Sequence, residues 1–259
     1  MNEELLTVKN ITKRFGPMVA VDDVSITINK NDIVGLIGAN GAGKTTCFNC
    51  ITGNYIPDEG TVYYKGRDIT RLSAAERVSM GIVRTFQLTA TFNELSVIDN
   101  LRLSYFKSRN KSRLANIVFS KMKNIVSEEI YEYLDKFNLS HLTHKTAGSI
   151  SLGERRVLEI VMALIYNPEI IMLDEPFAGL SEKEIDEVLE ILQQSIGKRT
   201  IFIVEHKISK IERLIEDICV MADGKIICSG ECQAVLKSDI VREGYWKMDK
   251  KTMETIVDA

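Results

Sequence analysis

Near the start of the chain, apolar residues recur at the spacing of β-strands. Leu5, Val8 and Ile11 form one such series, and residues 19–28 form a second one after a Phe-Gly-Pro turn. This one-sided alternation is typical of an antiparallel sheet that buries a single face. The pattern therefore predicts an antiparallel β-subdomain at the N-terminal end.

A strand of a different kind follows. Residues 32–37 form a continuous apolar run, which indicates a strand that is buried on both faces. Glycines come next, and residues 44–52 then favour a helix, while residues 61–64 predict another short strand. The middle of this stretch is therefore predicted to be a strand, loop and helix unit.

Helical spacing dominates the centre of the chain. Over residues 92–163, apolar side chains recur every three to four positions. The clearest examples are Val97, Leu101 and Tyr105, and then Ile130, Leu134 and Phe137. This region is predicted to be a helical insert.

Strands of the buried type return after the insert. They are predicted at residues 170–173, 200–204 and 218–221. A helix over residues 182–194 separates the first two, and its start carries Ser181 and Glu184 at the spacing of a capping box. Strands that alternate with helices indicate a mostly parallel sheet covered on both faces. The fold class is therefore α/β.

Composition and charge reduce the number of functions that are possible for this chain. The 259 residues are enough for one large domain with its own core, and the net charge of −3 lacks the positive field that non-specific nucleic-acid binding requires. The longest apolar runs are far shorter than the ~20 residues that cross a bilayer, and residues 1–4 do not resemble a signal peptide. We expect neither a membrane span nor a nucleic-acid partner.

The five cysteines favour reduced thiols in the cytosol, because an odd number without a regular framework does not suit a disulfide scaffold. Cys47 and Cys50 have the C-x-x-C spacing of redox and zinc sites. No second pair of ligands accompanies them, so we interpret both as small apolar residues of a buried helix.

The clearest chemical signal is a complete G-x-x-x-x-G-K-[ST] motif between the buried strand and the following helix. Glycines at these positions let successive backbone N–H groups face one centre, where phosphate oxygens bind. Lys44 is expected to reach the β- and γ-phosphates of a nucleotide, and the Thr45 hydroxyl is expected to ligate Mg²⁺. The predicted phosphate-binding residues are Gly38, Ala39, Asn40, Gly41, Ala42, Gly43, Lys44, Thr45 and Thr46.

A second site, which is acidic, supports the prediction that this protein is an enzyme acting on nucleotides. The buried strand at residues 170–173 leads directly into Asp174 and Glu175. Ligand sites in open α/β sheets lie at the carboxyl ends of the strands. Asp174 is expected to hold Mg²⁺ through water, and Glu175 is expected to act as the general base on the attacking water.

Four further stretches resemble the motifs of ABC-type ATPases in order and spacing. They are Gln87 after Arg84-Thr85-Phe86, the stretch Ile150-Ser151-Leu152-Gly153-Glu154, the stretch Ala178-Gly179-Leu180-Ser181, and His206. They resemble the Q-loop, the signature sequence, the D-loop and the switch histidine, and the resemblance runs from Leu6 to about Tyr245. It implies a P-loop NTPase of ABC type with a RecA-like sheet, an N-terminal antiparallel β-subdomain and a helical insert.

The resemblance implies a division of the chain. Residues 1–87 and 162–240 would form the nucleotide-binding core, residues 88–161 the helical subdomain and residues 241–259 a C-terminal extension.

Local features are most similar to the ATP-binding subunits of branched-chain amino-acid importers. They are the stretch from Gly81 to Gln87, which includes Arg84-Thr85-Phe86, the run from Glu154 to Ile160, and the ending from Ile240 to Tyr245. Subunits that extract lipopolysaccharide share the last two features and are the main alternative. A soluble ABC protein of translation or DNA repair is a further alternative, which the single ATPase unit and short insert disfavour.

The resemblance also implies roles for individual residues. Phe15 would stack on adenine, Gln87 would complete the Mg²⁺ shell, and His206 would bind the γ-phosphate and orient the water. Catalysis would then rest on Glu175, His206 and Lys44. The signature residues Ser151, Gly153 and Glu154 would contact the ATP of a second ATP-binding subunit in a head-to-tail dimer.

The implied assembly includes further chains. Transmembrane permease subunits would carry the solute, a solute-binding protein would deliver it, and this chain would be a peripheral motor on the cytoplasmic face of the cell membrane.

Some positions depart from the family pattern or allow other interpretations. Leu152 and Glu154 replace the usual glycine and glutamine of the signature, and Ser181 replaces the more common aspartate of the D-loop. His141 and His144 have the spacing of metal ligands, but no partner set accompanies them. The basic run Lys107, Arg109, Lys111, Arg113, Lys121 and Lys123 is interpreted as a solvated helix face rather than a lipid-binding patch.

Overall fold

A computed structural model describes residues 3–85, 91–109, 128–194, 196–206, 208–238 and 241. Within these ranges the strands are β1 (Glu4–Phe15), β2 (Met18–Asn29), β3 (Ile33–Ile37), β4 (Glu59–Tyr64), β5 (Arg67–Asp68), β6 (Ile82–Arg84), β7 (Ile170–Asp174), β8 (Thr200–Glu205), β9 (Asp217–Ala222) and β10 (Lys225–Glu231). The α-helices are α1 (Lys44–Thr52), α2 (Ala74–Ser79), α3 (Val97–Arg109), α4 (Glu128–Lys136), α5 (Leu152–Ile165), α6 (Glu182–Gln193) and α7 (Cys232–Leu236).

The strands form two sheets. One has the order β2-β1-β4-β5, and all of its neighbours are antiparallel. The other has the order β10-β9-β3-β8-β7-β6, and its neighbours are parallel except for β10 and β9. The predicted α/β class, with an antiparallel sheet beside a mostly parallel one, is confirmed.

The central strands of the parallel sheet bring several chain segments to one edge. Strands β3, β7 and β8 are buried along their whole length, because other elements cover both faces of the sheet. Ile37 at the end of β3 pairs with Glu205 at the end of β8, and Asp174 at the end of β7 pairs with Val204. The loop after β3 and the carboxylates after β7 and β8 are therefore neighbours.

The predicted helical region contains three α-helices and two short 3-10 helices in the described ranges. Val97 and Leu101 of α3 and Ile130 and Leu134 of α4 are buried, as their spacing predicted. The boundary proposed at residue 161 falls within α5, and the division into subdomains stays a prediction. The proposed extension lies outside the described residues apart from residue 241.

The two cysteines at C-x-x-C spacing lie on α1 with no exposed surface. Burial raises the pKa of the Cys50 thiol to about 11 and raises that of Cys47 further, so neither is a thiolate at neutral pH. All five cysteines are free. The interpretation of Cys47 and Cys50 as core residues is confirmed.

A buried arginine, which the sequence analysis did not single out, anchors the far end of α1. The Arg77 guanidinium donates to the carbonyls of Cys50 at 2.9 Å and Ile51 at 2.5 Å, and to those of Ile69 and Thr70. The Cys50 and Ile51 carbonyls lie in the last turn of α1, where a helix supplies few N–H donors of its own, so the guanidinium satisfies them. Arg77 thereby fixes α1 relative to the antiparallel sheet.

The helices that the structure describes include none that is both long and apolar enough to cross a membrane.

Candidate nucleotide-binding site

The loop between β3 and α1 has a backbone that only glycine can supply. Gly41 and Gly43 have φ angles of +84° and +99°, in the left-handed region. A Cβ atom at Gly38 would lie 2.3 Å from the Met221 carbonyl oxygen, and one at Gly43 would lie 2.2 Å from that of Ala20. The glycines therefore let this loop pack directly against β2 and β9.

Lys44 begins α1 and points back into the loop. Its Nζ donates to the carbonyl oxygens of Gly38 at 2.7 Å and Ala39 at 3.0 Å. Burial lowers the pKa of Lys44, while the negative charges of Glu175, Glu205 and Asp174 oppose that change. The ammonium group is thus held at the loop, where bound phosphate oxygens would add to the negative charge around it.

A cavity of about 570 Å³ opens over the loop. Seven of the nine predicted phosphate-binding residues line it, from Asn40 to Thr46, together with Glu175. Gly38 and Ala39 contribute through the carbonyls that hold Lys44. The sequence prediction of this loop as the centre of one site is thereby supported by its geometry.

The sequence analysis missed two other walls of the cavity. Residues 18–20 of β2 form one, and Asp223 and Gly224 in the turn between β9 and β10 form the other. The Gly224 N–H donates to the Ala42 carbonyl at 3.0 Å, which ties that turn to the loop. The Asp-Gly pair indicates a hairpin turn in the sequence, but only the tertiary structure brings it to the cavity.

Asp174 is almost fully buried at the end of β7. Neither of its carboxylate oxygens has a hydrogen-bond partner among the described residues. Burial raises the pKa of Asp174 to about 6, while the nearby Arg84 guanidinium opposes that change. Two buried carboxylate oxygens without a donor are suited to a cation or to its water ligands.

Glu175 lines the cavity next to Asp174. Its φ angle of +46° is unusual for a residue with a side chain, and its N–H donates to the Val204 carbonyl at 2.9 Å. His206 follows β8, and its Nδ1 lies 3.9 Å from Glu175 Oε1. The two residues predicted to act on the attacking water are therefore side by side.

Comparison with known proteins identifies the family. A family model described as ABC transporter matches residues 21–178, which is more than half of the chain. The chain belongs to the ABC transporter family. ABC cassettes hydrolyse ATP, so this chain is an ABC ATPase.

The similarity to its relatives covers nearly the whole length of the chain. It is 37% identical to a probable branched-chain amino acid transport ATP-binding protein, LivG, of Methanocaldococcus jannaschii, over 91% of this chain and 93% of the relative. It is 31% identical to the high-affinity branched-chain amino acid transport ATP-binding protein BraF of Pseudomonas aeruginosa, over 95% and 98%. It is 32% identical to the lipopolysaccharide export system ATP-binding protein LptB of Haemophilus influenzae, over 93% and 96%.

Solved ABC cassettes share the fold. A nucleotide-free ATP-binding cassette from an ABC transporter superposes with a TM-score of 0.77 at 35% identity, covering 93% of this chain and 98% of the other. A cassette in its ADP conformation superposes with the same score at 34% identity, covering 99% of both chains.

The residues predicted to form the signature lie at the start of α5, and none of them lines the cavity. Ser151 Oγ accepts the Glu154 N–H at 3.2 Å, and Glu154 Oε2 accepts the Ser151 N–H at 2.7 Å. This capping box stabilises the first turn of α5, and the Leu152 side chain in that turn is exposed. These residues therefore do not contribute to the nucleotide cavity of their own chain.

Two other predicted site residues are not found in the described part of the cavity lining. Phe15 ends β1, is 40% exposed and packs edge-on against Tyr55, while Met18 and Val19 reach the cavity instead. Gln87 lies outside the described residues. Adenine stacking by Phe15 and metal binding by Gln87 stay predictions.

The histidine pair at metal-ligand spacing has no metal-binding surroundings in the described structure. Within the described ranges, no group of three or more histidine, cysteine, aspartate or glutamate side chains could hold a metal ion. His141 Nε2 lies 3.7 Å from Glu154 Oε1 at the surface. Of the basic run, the structure describes Lys107 and Arg109, and Arg109 pairs with Glu129; the other four residues lie outside the described ranges.

The raised pKa of Asp174 predicts an effect on stability. A carboxyl group whose pKa rises on folding stabilises the protein below its unfolded pKa of 3.8, and this contribution is lost as pH rises through about 6. At pH 7.5 without nucleotide or metal, Asp174→Asn should therefore raise the melting temperature, by roughly 2–4 °C for each kcal/mol gained. The difference from wild type should shrink as pH falls to about 4; a lower melting temperature at pH 7.5 would contradict the assigned environment.

Proposed function

We propose that this ABC ATPase is the motor subunit of an importer for branched-chain or other hydrophobic amino acids. The observation that carries the proposal is its 37% identity to a relative named for branched-chain amino acid transport, over nearly the full length of both chains. Several further relatives carry the same kind of name. The stretch Arg84-Thr85-Phe86-Gln87 supports the same assignment.

The proposed hydrolysis uses Lys44 and Glu175 from the cavity lining, and His206 beside Glu175. Lys44 and the backbone N–H groups of the loop bind the β- and γ-phosphates, as the charge and the glycine geometry of the loop allow. Glu175 accepts a proton from the attacking water, and His206 orients that water against the γ-phosphate. Mutual approach of Glu175 and His206 supports this pairing.

The site also fits Mg²⁺. Thr45 lines the cavity, and the oxygens of Asp174 are buried without a donor among the described residues. Thr45 and Asp174 would hold the ion, with Gln87 as a further ligand, and the nucleotide phosphates would supply the remaining oxygens. When bound, Mg²⁺ neutralises phosphate charge during transfer.

A second ATP-binding subunit is part of the proposal. Helix N-termini bind phosphate, and the start of α5 lies outside the cavity lining of its own chain. In this chain its Glu154 N–H donates to Ser151 Oγ and its Gly153 N–H to the Glu184 carboxylate, so a bound phosphate would replace these acceptors. In a head-to-tail dimer, the Ser151, Gly153 and Glu154 segment of one chain would reach the ATP bound at the other chain's loop. Closure of that dimer would move attached permease subunits.

The proposed assembly lies at the membrane. Transmembrane permease subunits would carry the solute, which a solute-binding protein would deliver, and this chain would work at the cytoplasmic face as a peripheral subunit.

Uptake measurements test the importer assignment. In cells that carry Lys44→Ala in place of the wild-type chain, uptake of radiolabelled leucine, isoleucine and valine should fall to background. The exposed substitution Lys30→Ala is the control and should leave uptake unchanged. Normal uptake in the Lys44→Ala strain would overturn the importer assignment.

A lipid-exporting role is the second candidate. The 32% identity to a lipopolysaccharide export protein favours it, because that value lies close to those of the amino-acid transport relatives. In this case the Lys44→Ala strain would retain amino-acid uptake and would accumulate lipopolysaccharide at the inner membrane.

A further inference from the structure

A second carboxylate, which none of the sequence motifs includes, sits beside the switch histidine. Glu205 ends β8 with no exposed surface, directly before His206. Its Oε2 accepts the His206 backbone N–H at 3.2 Å and lies 3.5 Å from His206 Nδ1. Glu205 therefore bonds to the backbone of the next residue and lies beside its imidazole, without a hydrogen bond to Nδ1.

The same carboxylate reaches the turn that carries the general base. Glu205 Oε1 accepts the N–H of Phe177 at 3.3 Å, two residues after Glu175. Lys210 Nζ donates to the Phe177 carbonyl at 3.4 Å and closes the other side of this turn. Two neighbouring strand ends are thus joined through one buried side chain.

Burying the Glu205 carboxylate costs free energy, so we expect this side chain to have a role in the fold or in the site. Burial raises the pKa of Glu205, and the N–H groups of Phe177 and His206 oppose that change. A buried carboxylate with two amide donors keeps part of its hydrogen bonding, but an apolar side chain would avoid the desolvation altogether. Glu175 has a strained positive φ, and contacts from the surrounding structure must stabilise that backbone conformation.

We propose that Glu205 is a positioning residue for ATP hydrolysis, which places the His206 imidazole through the backbone bond and the carboxylate charge beside Nδ1, and keeps the ring next to Glu175. This inference rests on the proposed roles of Glu175 and His206. Nδ1 lies near both the Glu205 and the Glu175 carboxylates, and negative neighbours favour a proton on that nitrogen of the neutral ring, which would leave Nε2 available to the reacting groups. Glu205 itself is not among the residues that line the cavity.

Glu205→Gln tests the proposal with little change of shape. The amide offers one oxygen where the carboxylate offers two, so it cannot accept from Phe177 and face His206 Nδ1 as an acceptor at the same time. With the purified full-length chain, kcat should fall by about tenfold to a hundredfold, the cost of a misplaced catalytic group. The KM for ATP should stay within about twofold, because the phosphate loop is untouched.

Glu159→Gln is the matched control. Glu159 is also a buried glutamate, paired with Arg156 at 2.8 Å on α5, outside the cavity-lining set. The control should lower the melting temperature and leave kcat within about twofold. A similar loss of kcat in both variants would show that any disturbance of a buried glutamate slows turnover, and would overturn the positioning role.

A double-mutant cycle separates positioning from anchoring of the turn. If Glu205 acts through the imidazole, Glu205→Gln should have little further effect on kcat once His206→Ala is present. If Glu205 only anchors Phe177, its effect should multiply with that of His206→Ala. The multiplicative result would overturn the proposal.

Nitrogen NMR of the imidazoles gives a readout that does not depend on turnover. The chain has three histidines, so His206→Ala assigns the third ring by difference. Wild type should show the His206 proton on Nδ1, and Glu205→Gln should shift it toward Nε2. An unchanged proton position would overturn the inference, whereas a wild-type chain without ATP turnover would instead count against the proposed roles of Glu175 and His206.

Discussion

Glu175→Gln should slow ATP turnover by about 10²–10⁴, the usual contribution of a general base, while ATP binding is retained. The amide cannot take the proton of the attacking water. The fold around position 175 should survive, because the contact with β8 uses the backbone N–H of residue 175 and the Val204 carbonyl. Single-turnover hydrolysis and equilibrium binding of a fluorescent ATP analogue measure the two effects separately.

The control for this experiment is Glu190→Gln. It makes the same chemical change on the exposed face of α6, away from the cavity. Turnover of the control should match that of wild type. If Glu175→Gln hydrolysed ATP at the wild-type rate, Glu175 would not be the base, and Asp174 would be the next carboxylate to test.

Lys44→Ala should weaken ATP binding by about tenfold to a hundredfold. A charge-assisted hydrogen bond contributes about 1.5–3 kcal/mol, and each 1.4 kcal/mol is a factor of ten in affinity. The substitution also removes the bonds from Nζ to the carbonyls of Gly38 and Ala39, so the loop should be less well ordered. Isothermal titration with ATP and Mg²⁺ measures the dissociation constant.

Lys30→Ala is the matched control for the lysine. Its ammonium group pairs with Glu3 at 3.2 Å, and both side chains are about half exposed or more. Exposed ion pairs contribute little, so ATP affinity and melting temperature should be close to those of wild type. Normal ATP affinity in Lys44→Ala would mean that the loop between β3 and α1 is not the phosphate site.

The positions of the carboxylates illustrate how far sequence reasoning reaches. Asp174 and Glu175 could be found because they follow a continuous apolar strand, and the ends of parallel strands meet at one edge. Glu205 also ends such a strand, but the motif at that position directs attention to His206. Its role depends on the distance to Nδ1 and on the Phe177 N–H, and neither is visible in a linear sequence.

Short elements were harder to predict than long ones. Strands β5 and β6 have two and three residues, and α2 has six, too few for a periodic pattern to stand out. The role of Arg77 was hidden for a related reason. A charged residue in a short helix is normally exposed, and only the convergence of α1 with the segment around Ile69 supplies the carbonyls that bury it.

The sequence by itself determined the α/β class, the phosphate loop and the acidic pair, because each depends on local periodicity or on a fixed spacing within one segment. The tertiary structure alone decided which distant segments share the site. It brought residues 18–20 and Asp223 to the cavity and set His206 between two carboxylates. The physical reason is that strand order and register, rather than local sequence, determine which strand ends become neighbours.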